Sequence, residues 1–245
     1  MKLYTELAWL WSEVTPVGTY IDEAQDLFDI VTDALGYPPK NILELGAGGG
    51  YLLHDLQTLY PEVEVTLVDL NADMLQEAKR RNPRAKLVHG DMTNLDLSEQ
   101  FDFVLLHDAV MYLPNRDAVS AVLKVMHRYV SERGVAVIVP DVCKETFEER
   151  ILTADSFAEN VRVHITEWHW DPVEDDHHIS VAFSVLCKKS CDVEVTSHCE
   201  THQMIVLPLS DWMTLFAEHC WVQDFPSLPW MHGGEFFLLR PDLSQ

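Results

Sequence analysis

Basic residues are scarce in this chain: 17 Lys and Arg stand against 40 Asp and Glu, a formal charge of -23. A polyphosphate backbone would be repelled over most of such a surface, so DNA and RNA are not expected as substrates, and anionic membrane faces are disfavoured for the same reason. Long apolar runs are missing too. The N-terminal stretch MKLYTELAWLWSEV is interrupted by Glu6 and Glu13, so neither a signal peptide nor a transmembrane helix is expected, and the cytoplasm is the default location. Cysteine is sparse and odd in number, with Cys143, Cys187, Cys191, Cys199 and Cys220 forming no secreted framework, so reduced thiols are expected. Cys187, Cys191 and Cys199 lie near His198 and His202, but in strand-like sequence rather than zinc-knuckle turns, and no metal is expected. There is no internal repeat and no low-complexity tract. At 245 residues the chain can bury one large α/β core and carry a small appendage.

Glycine, by contrast, is concentrated. Ile42, Leu43 and Leu45 read as a short buried strand, and Gly46, Gly48, Gly49 and Gly50 follow directly. Side chains there would collide with a ligand lying against the backbone, and a tight turn of this kind calls for positive φ. Tyr51 to Leu59 is helix-compatible, so free N–H groups of the turn and the helix N-terminus would face the same ligand. A dinucleotide fingerprint G-x-G-x-x-G fails, since the sixth position is Tyr51. The spacing Glu44-x-Gly46-x-Gly48-x-Gly50 instead resembles motif I of the class I S-adenosylmethionine-dependent methyltransferases.

Along the chain, Leu3, Leu7, Leu10 and Trp11 recur at helical spacing, which predicts a short lid helix over Tyr4 to Trp11. A second helix is predicted from Tyr20 to Leu35, closed by Gly36. A second strand, Val63 to Val68, ends in Asp69, whose carboxylate at a strand tip suits the two hydroxyls of a ribose. The helix after Asn71 stops before Pro83. Lys86 to His89 is a third strand leading into Gly90, Asp91 and Met92, and Phe101 to Leu106 a fourth, ending in His107 and Asp108. Asn115 caps a helix through Tyr129, Gly134 makes a turn, and Val135 to Val139 is a fifth strand ending at Asp141. This alternation predicts a parallel, doubly wound sheet with its ligand at the carboxyl ends of the strands, where Glu44, Asp69, Asp91, His107, Asp108 and Asp141 converge.

The remainder changes character. Val161 to Trp170, His178 to Cys187 and Val193 to Val206 alternate with period two and predict a three-stranded antiparallel insert, with a solvated turn at Glu174, Asp175 and Asp176. Leu209 to Cys220 reads as a helix, Val222 to Gly234 as a loop, and Glu235 to Leu239 as a last strand rejoining the core sheet. The expected divisions are 1–36, an N-terminal helical lid and first core helix; 37–160, the cofactor-binding core; 161–206, the insert; and 207–245, a closing helix and strand.

Nearly the whole chain resembles a small-molecule branch of these methyltransferases, similar to the aminosugar N,N-dimethyltransferases and the glycine and sarcosine N-methyltransferases. The resemblance rests on Tyr20-x-x-Glu23-Ala24 after an aromatic N-terminal helix, on Glu145-Thr146-Phe147 after strand five, and on Glu200-x-His202 near the end of the insert. It departs from the aminosugar pattern at His107-Asp108-Ala109-Val110, and it lacks the N/D-P-P-Y/F signature of enzymes that methylate adenine or glutamine. The resemblance implies S-adenosylmethionine as cofactor and S-adenosylhomocysteine as product. Tyr20, Glu44, Gly46, Ala47, Gly48, Gly50, Asp69, Leu70, Asp91, Met92, His107 and Asp108 would contact the cofactor, with Asp91 at the adenine amino group and Met92 against its face. It further implies that the insert walls the substrate site and carries a homodimer.

In-line transfer from a sulfonium needs an unprotonated acceptor and a dry, aligned site rather than a covalent intermediate. His107 is the expected base or orienter, and His202 follows from the resemblance as a second catalytic residue. Tyr112 and Asp141 are expected to contact the acceptor. Trp168 and Trp170 share one strand face and could hold an ammonium against their rings. An amine acceptor is therefore expected. The rivals are a metal-dependent O-methyltransferase using Asp108 and Asp141, and a protein that binds the cofactor without turnover.

Overall fold

The computed structural model describes residues 1–158, 160–173, 176–223, 228–229 and 235–242. Helix α1 (Ala8–Val14) follows a single 3-10 turn at Lys2–Tyr4, and α2 (Ile21–Leu35) buries Ala24, Leu27, Phe28 and Val31, one stripe at helical spacing. Each large apolar side chain so buried contributes about 1.5–3 kcal/mol, so α2 is held by its stripe more than by propensity. Gly36 ends α2 in the left-handed conformation, its N–H donating to Thr32. The lid helix predicted over Tyr4 to Trp11 is thus split into a turn and a helix that starts later.

The core follows as β1 (Asn41–Leu45), α3 (Tyr51–Leu59), β2 (Glu64–Asp69), α4 (Ala72–Arg81), β3 (Lys86–His89), β4 (Phe101–His107), α5 (Arg116–Tyr129) and β5 (Val130–Val139). The Asn115 side chain accepts from Ala118 N at the start of α5, a cap worth about 1 kcal/mol. Gly134 lies inside β5 rather than in a turn before it. The strand pairs Phe101 with Val130 and Phe103 with Val135, so Ser131 to Gly134 bulge out of register.

The insert has four strands, not three: β6 (Arg150–Phe157), β7 (Val161–Trp170), β8 (His178–Lys189) and β9 (Thr196–Ile205) form an antiparallel sheet in that order. Strand β6 escaped the periodicity reading because it is an edge strand with almost every residue exposed, so no apolar face was selected. Strand β9 begins at Thr196, three residues after the expected start. The inner face of the insert, with Val163, Ile165, Val181, Phe183 and Val185, packs on the N-terminal segment and the α5 side of the core.

Helix α6 (Leu209–Glu218) leads to β10 (Trp221–Gln223), the short β11 (Leu228–Pro229) and β12 (Glu235–Pro241). The core sheet runs β10-β12-β5-β4-β1-β2-β3, parallel from β5 to β3; the last strand rejoins it as expected and lies antiparallel to β5. Of the predicted loop, Val222, Gln223, Leu228 and Pro229 lie in strands and the other positions lie outside the described residues, as do Glu174 and Asp175. The chain winds from β1 outward to β3 and returns through β4 and β5, which puts the reversal of strand order between β1 and β4. A crevice opens at that reversal, beyond the carboxyl ends.

Candidate active site

Strand β1 is buried along nearly its whole length and delivers the glycine turn to this crevice. Gly46, Gly48 and Gly50 have φ of 68°, 54° and 65°, conformations that L side chains rarely adopt. A Cβ on Gly46 would lie 2.2 Å from the Ala109 Cβ, so this position is closed to any side chain. Asp69, at the tip of β2, organises the turn: Gly48 N–H donates to Oδ2 at 2.8 Å and Asn71 N–H to Oδ1 at 2.7 Å. Burial pushes the Asp69 carboxyl up while these two N–H groups pull it down.

A cavity of about 440 Å³ lies over the turn. Tyr20, Glu44, Gly46, Ala47, Gly48, Asp69, Leu70, Asp91, Met92, His107, Asp108 and Tyr112 all line it, brought there from five stretches of the chain. Gly50 does not. Its left-handed conformation starts α3, and its carbonyl accepts from the buried Asn82 Nδ2 at 3.0 Å, so its task is to shape the turn. Asp91 accepts from Thr93 N and Oγ1 at 2.8 and 2.7 Å, which fixes its carboxylate at the rim.

The electrostatics are dominated by acids. Glu44 is only 5% exposed and its Oε2 has no hydrogen-bond partner, so burial drives its carboxyl up to about 8. His107 stands between two carboxylates, with Nε2 2.7 Å from Glu23 and Nδ1 3.1 Å from Asp108. Burial alone would lower its pKa, but Asp108 and Glu23 outweigh that and lift it well above 6.5. Carboxylates at both ring nitrogens favour the imidazolium form, an arrangement suited to orienting and neutralising rather than to acting as a base. Asp108 has φ of 50°, a strained conformation for a non-glycine residue, held by its N–H donating to Val139 O at 2.9 Å. Its carboxylate hydrogen-bonds to Asp141. Crowding by protein, more than the solvent Asp141 still touches, and then the Asp108 charge raise the Asp141 carboxyl well above its usual range. Two such groups side by side hold one proton between them.

A second chain of polar groups starts at the cavity wall. Tyr4 and Tyr112 hydroxyls are 2.5 Å apart, Tyr112 Oη is 3.4 Å from His202 Nδ1, and His202 Nε2 is 2.8 Å from Glu200. Glu200 in turn accepts the backbone N–H groups of Lys2 and Leu3 at 2.7 and 3.0 Å. His202 thus lies behind Tyr112, not on the cavity surface. Burial raises both tyrosines; the nearby acids add to it at Tyr4, and Tyr4 itself, ahead of the acids, adds to it at Tyr112.

Trp168 and Trp170 are not at the cavity. Their rings are 5.9 Å apart on the outer face of the insert, and Trp168 is 49% exposed with its indole N–H donating to Glu149. Strand alternation is the reason: Glu167 and His169 take the inward positions. Asp141 lies beside Asp108 without lining the cavity itself. Sequence reading missed Tyr4, Trp11, Tyr51 and Met74 in the lining, and Glu23 as the partner of His107. It also missed Asp55, a buried acid among the leucines of α3 that accepts Gly18 N and Tyr20 N at 3.0 and 2.9 Å and so ties the lid linker to the core. A lone Asp on an apolar helix face was the signal available.

These features define a doubly wound fold with a glycine turn, an acid at the tip of the second strand and a cavity at the strand-order reversal. Residues 42–134 match the family model described as "Methyltransferase domain". Among proteins of known activity, the dTDP-3-amino-3,6-dideoxy-alpha-D-glucopyranose N,N-dimethyltransferase of Streptomyces fradiae is 30% identical over 151 residues, 54% of this chain and 58% of that protein. The match thus spans little more than half the length of that relative. In fold, the chain is similar to Streptomyces venezuelae DesVI, with a TM-score of 0.81 and 19% identity over 96% of both chains. It is similar as well to SAM-bound CalS10, an amino pentose methyltransferase from Micromonospora echinaspora, with a TM-score of 0.78 and 21% identity over 96% of this chain and 94% of that one.

Proposed function

We propose that the protein transfers a methyl group from S-adenosylmethionine to the nitrogen of a small-molecule amine. The observation that carries this reading is the cavity itself: a closed glycine turn, the anchored Asp69 and an unpartnered buried Glu44 fit a nucleoside that bears positive charge. Asp69 would accept the ribose hydroxyls, Asp91 the adenine amino group, with Met92 and Leu70 against the ring, and Glu44 would face the amino-acid portion. Bound there, the cofactor supplies a methyl group on a positively charged sulfur that leaves as a neutral thioether.

The protein's share is to dry the site, aim the acceptor and take one proton. Tyr4 and Tyr112 close the wall, and the tied-down linker at Asp55 keeps Tyr20 in place over the turn. His107 holds Asp108 in position. An alkylammonium entering among these acids must give up its proton before its lone pair can attack, and the Tyr4–Tyr112–His202–Glu200 chain offers a route for that proton. Tyr112 would donate to His202 Nδ1, with His202 Nε2–H donating to Glu200.

The test is a panel of amines and matched alcohols incubated with methyl-deuterated cofactor and read by mass spectrometry. Label in amines supports the proposal, whereas label only in alcohols, abolished by chelation and restored by magnesium, would support the Asp108–Asp141 metal reading. Tight cofactor binding with no labelled product would favour a protein without turnover. We further propose that the chain dimerises through the insert. Ile151, Phe157, Trp168 and Leu186 share its outer face and are all exposed, an apolar patch of the kind that marks an interface. Light scattering on Phe157→Glu/Trp168→Glu should give a monomer where the unaltered chain gives a dimer. No helix among the described residues is long and apolar enough to cross a membrane.

A further inference from the structure

Every one of the 17 Lys and Arg residues lies in the described part of the chain, and none has its side chain on the cavity wall. Two of these cationic groups are engaged elsewhere. Arg81 covers the far side of the Tyr51 ring at 4.5 Å and donates to Thr15 O at 2.9 Å, and Lys144 pairs with Asp171 at 2.5 Å. The wall instead presents Glu44, Asp69, Asp91 and Asp108, with Asp141 hydrogen-bonded to the last of these. One of these acids, Glu44, is buried with an oxygen that nothing among the described residues satisfies, and it is the acid proposed above to face the amino-acid portion of the cofactor.

We infer that the acceptor of this protein is a phosphate-free amine, held as its ammonium against the rings of Tyr4 and Tyr112 and against Asp108, which Asp141 backs from outside the cavity, and that a nucleoside-diphosphate sugar is excluded. This rests on the methyltransferase reading and narrows it. A pyrophosphate brings two negative charges to a wall that has no lysine or arginine and whose His107 is already paired with Glu23 and Asp108, and like charges at a few ångströms in a partly dry site repel strongly. An ammonium meets the opposite situation: two carboxylates sharing one proton can replace that proton with the cation, while two tyrosine faces turn their negative quadrupoles toward it. The S. fradiae relative is named for a dTDP-linked substrate, so on this inference the two proteins share a fold and part ways at the acceptor.

The test uses the full chain saturated with S-adenosylhomocysteine and measures binding calorimetrically. The probes are three cyclic amines, including methyl 3-amino-3-deoxy-glucopyranoside, the alcohol matched to each, and dTDP. At least one amine should bind ten-fold or more tightly than its alcohol, a margin of about 1.4 kcal/mol, and lose that margin in Asp141→Asn with the affinity for S-adenosylhomocysteine unchanged. dTDP should give no heat. Binding of dTDP to the loaded protein, or a panel in which no amine outbinds its alcohol, overturns the inference while leaving the methyltransferase reading intact. Failure of S-adenosylhomocysteine itself to bind is the separate result that overturns both.

Discussion

Replacing Glu44 by Gln isolates the most perturbed acid in the cavity. Burial raises this carboxyl from 4.5 to about 8, so at pH 7 about nine-tenths of the free protein carries a proton there. The folded chain holds that proton across the window from 4.5 to about 8 and the unfolded chain does not, so Glu44 lowers stability progressively as pH rises through that window. The full rise is equivalent to at most about 5 kcal/mol against the ionised form. Glu44→Gln removes the penalty, and the variant should match the parent in Tm near pH 4.5 and exceed it by a gap that widens to pH 8.

Cofactor binding should reverse the balance. An ammonium beside Glu44 favours the carboxylate, so complex formation at pH 7 should release close to one proton from this site at a cost of about 1.4 kcal/mol. A charge-assisted hydrogen bond contributes about 1.5–3 kcal/mol, so the two effects nearly cancel, and the Gln variant should bind no more than about ten-fold more weakly. Calorimetry of S-adenosylhomocysteine in phosphate and in Tris, which differ in ionisation enthalpy, counts the protons. The reasoning is refuted if Glu44→Gln releases as many as the parent.

Four further outcomes follow from the geometry. Asp69→Asn weakens charge-assisted bonds to Gly48 and Asn71 as well as the proposed ribose contact, and should cost ten- to hundred-fold in affinity for S-adenosylhomocysteine by titration. Gly46→Ala forces a Cβ onto Ala109 at a φ of 68° and should abolish binding and lower Tm, with Ala109→Gly in the same chain recovering part of the loss in Tm. Glu23→Gln removes one of the two carboxylates that raise His107, so the His107 titration midpoint followed by NMR should fall. Because a raised histidine stabilises below 6.5 and loses that contribution as pH climbs through its folded value, the stability lost in Glu23→Gln should be larger at pH 6 than above the parent's His107 midpoint. Glu200→Gln leaves the cavity wall intact and should shift the pH profile of turnover to a higher pH with little change in cofactor affinity, whereas a merely structural Glu200 would leave the profile unmoved.

The core was legible because burial and period agree. Strands β1, β4 and β5 are apolar on both faces, α2 and α5 carry a single stripe, and the turn residues sit where the chain reverses. The gathering of acids at one edge followed from the same cause, since each was read at a strand tip and the topology delivers those tips to one edge. The Tyr4 and His107 surroundings were not legible in that way. Tyr4 reaches the wall only because Glu200, nearly two hundred positions away, receives the backbone of Lys2 and Leu3, and Glu23 finds His107 across 84 positions. Periodicity carries no information about such pairings. Trp168 and Trp170 show the converse: their composition suggested a pocket, and the alternation of β7 turned them outward. Strand β6 shows that an edge exposed on both faces leaves no apolar pattern to read.

The most direct measurement is calorimetric titration of the unaltered chain with S-adenosylhomocysteine at pH 7, with Asp69→Asn run beside it. The account predicts saturable one-to-one binding with proton release in the first and a clear loss of affinity in the second. No heat and no thermal shift with the unaltered chain, or equal affinity in both, would contradict it.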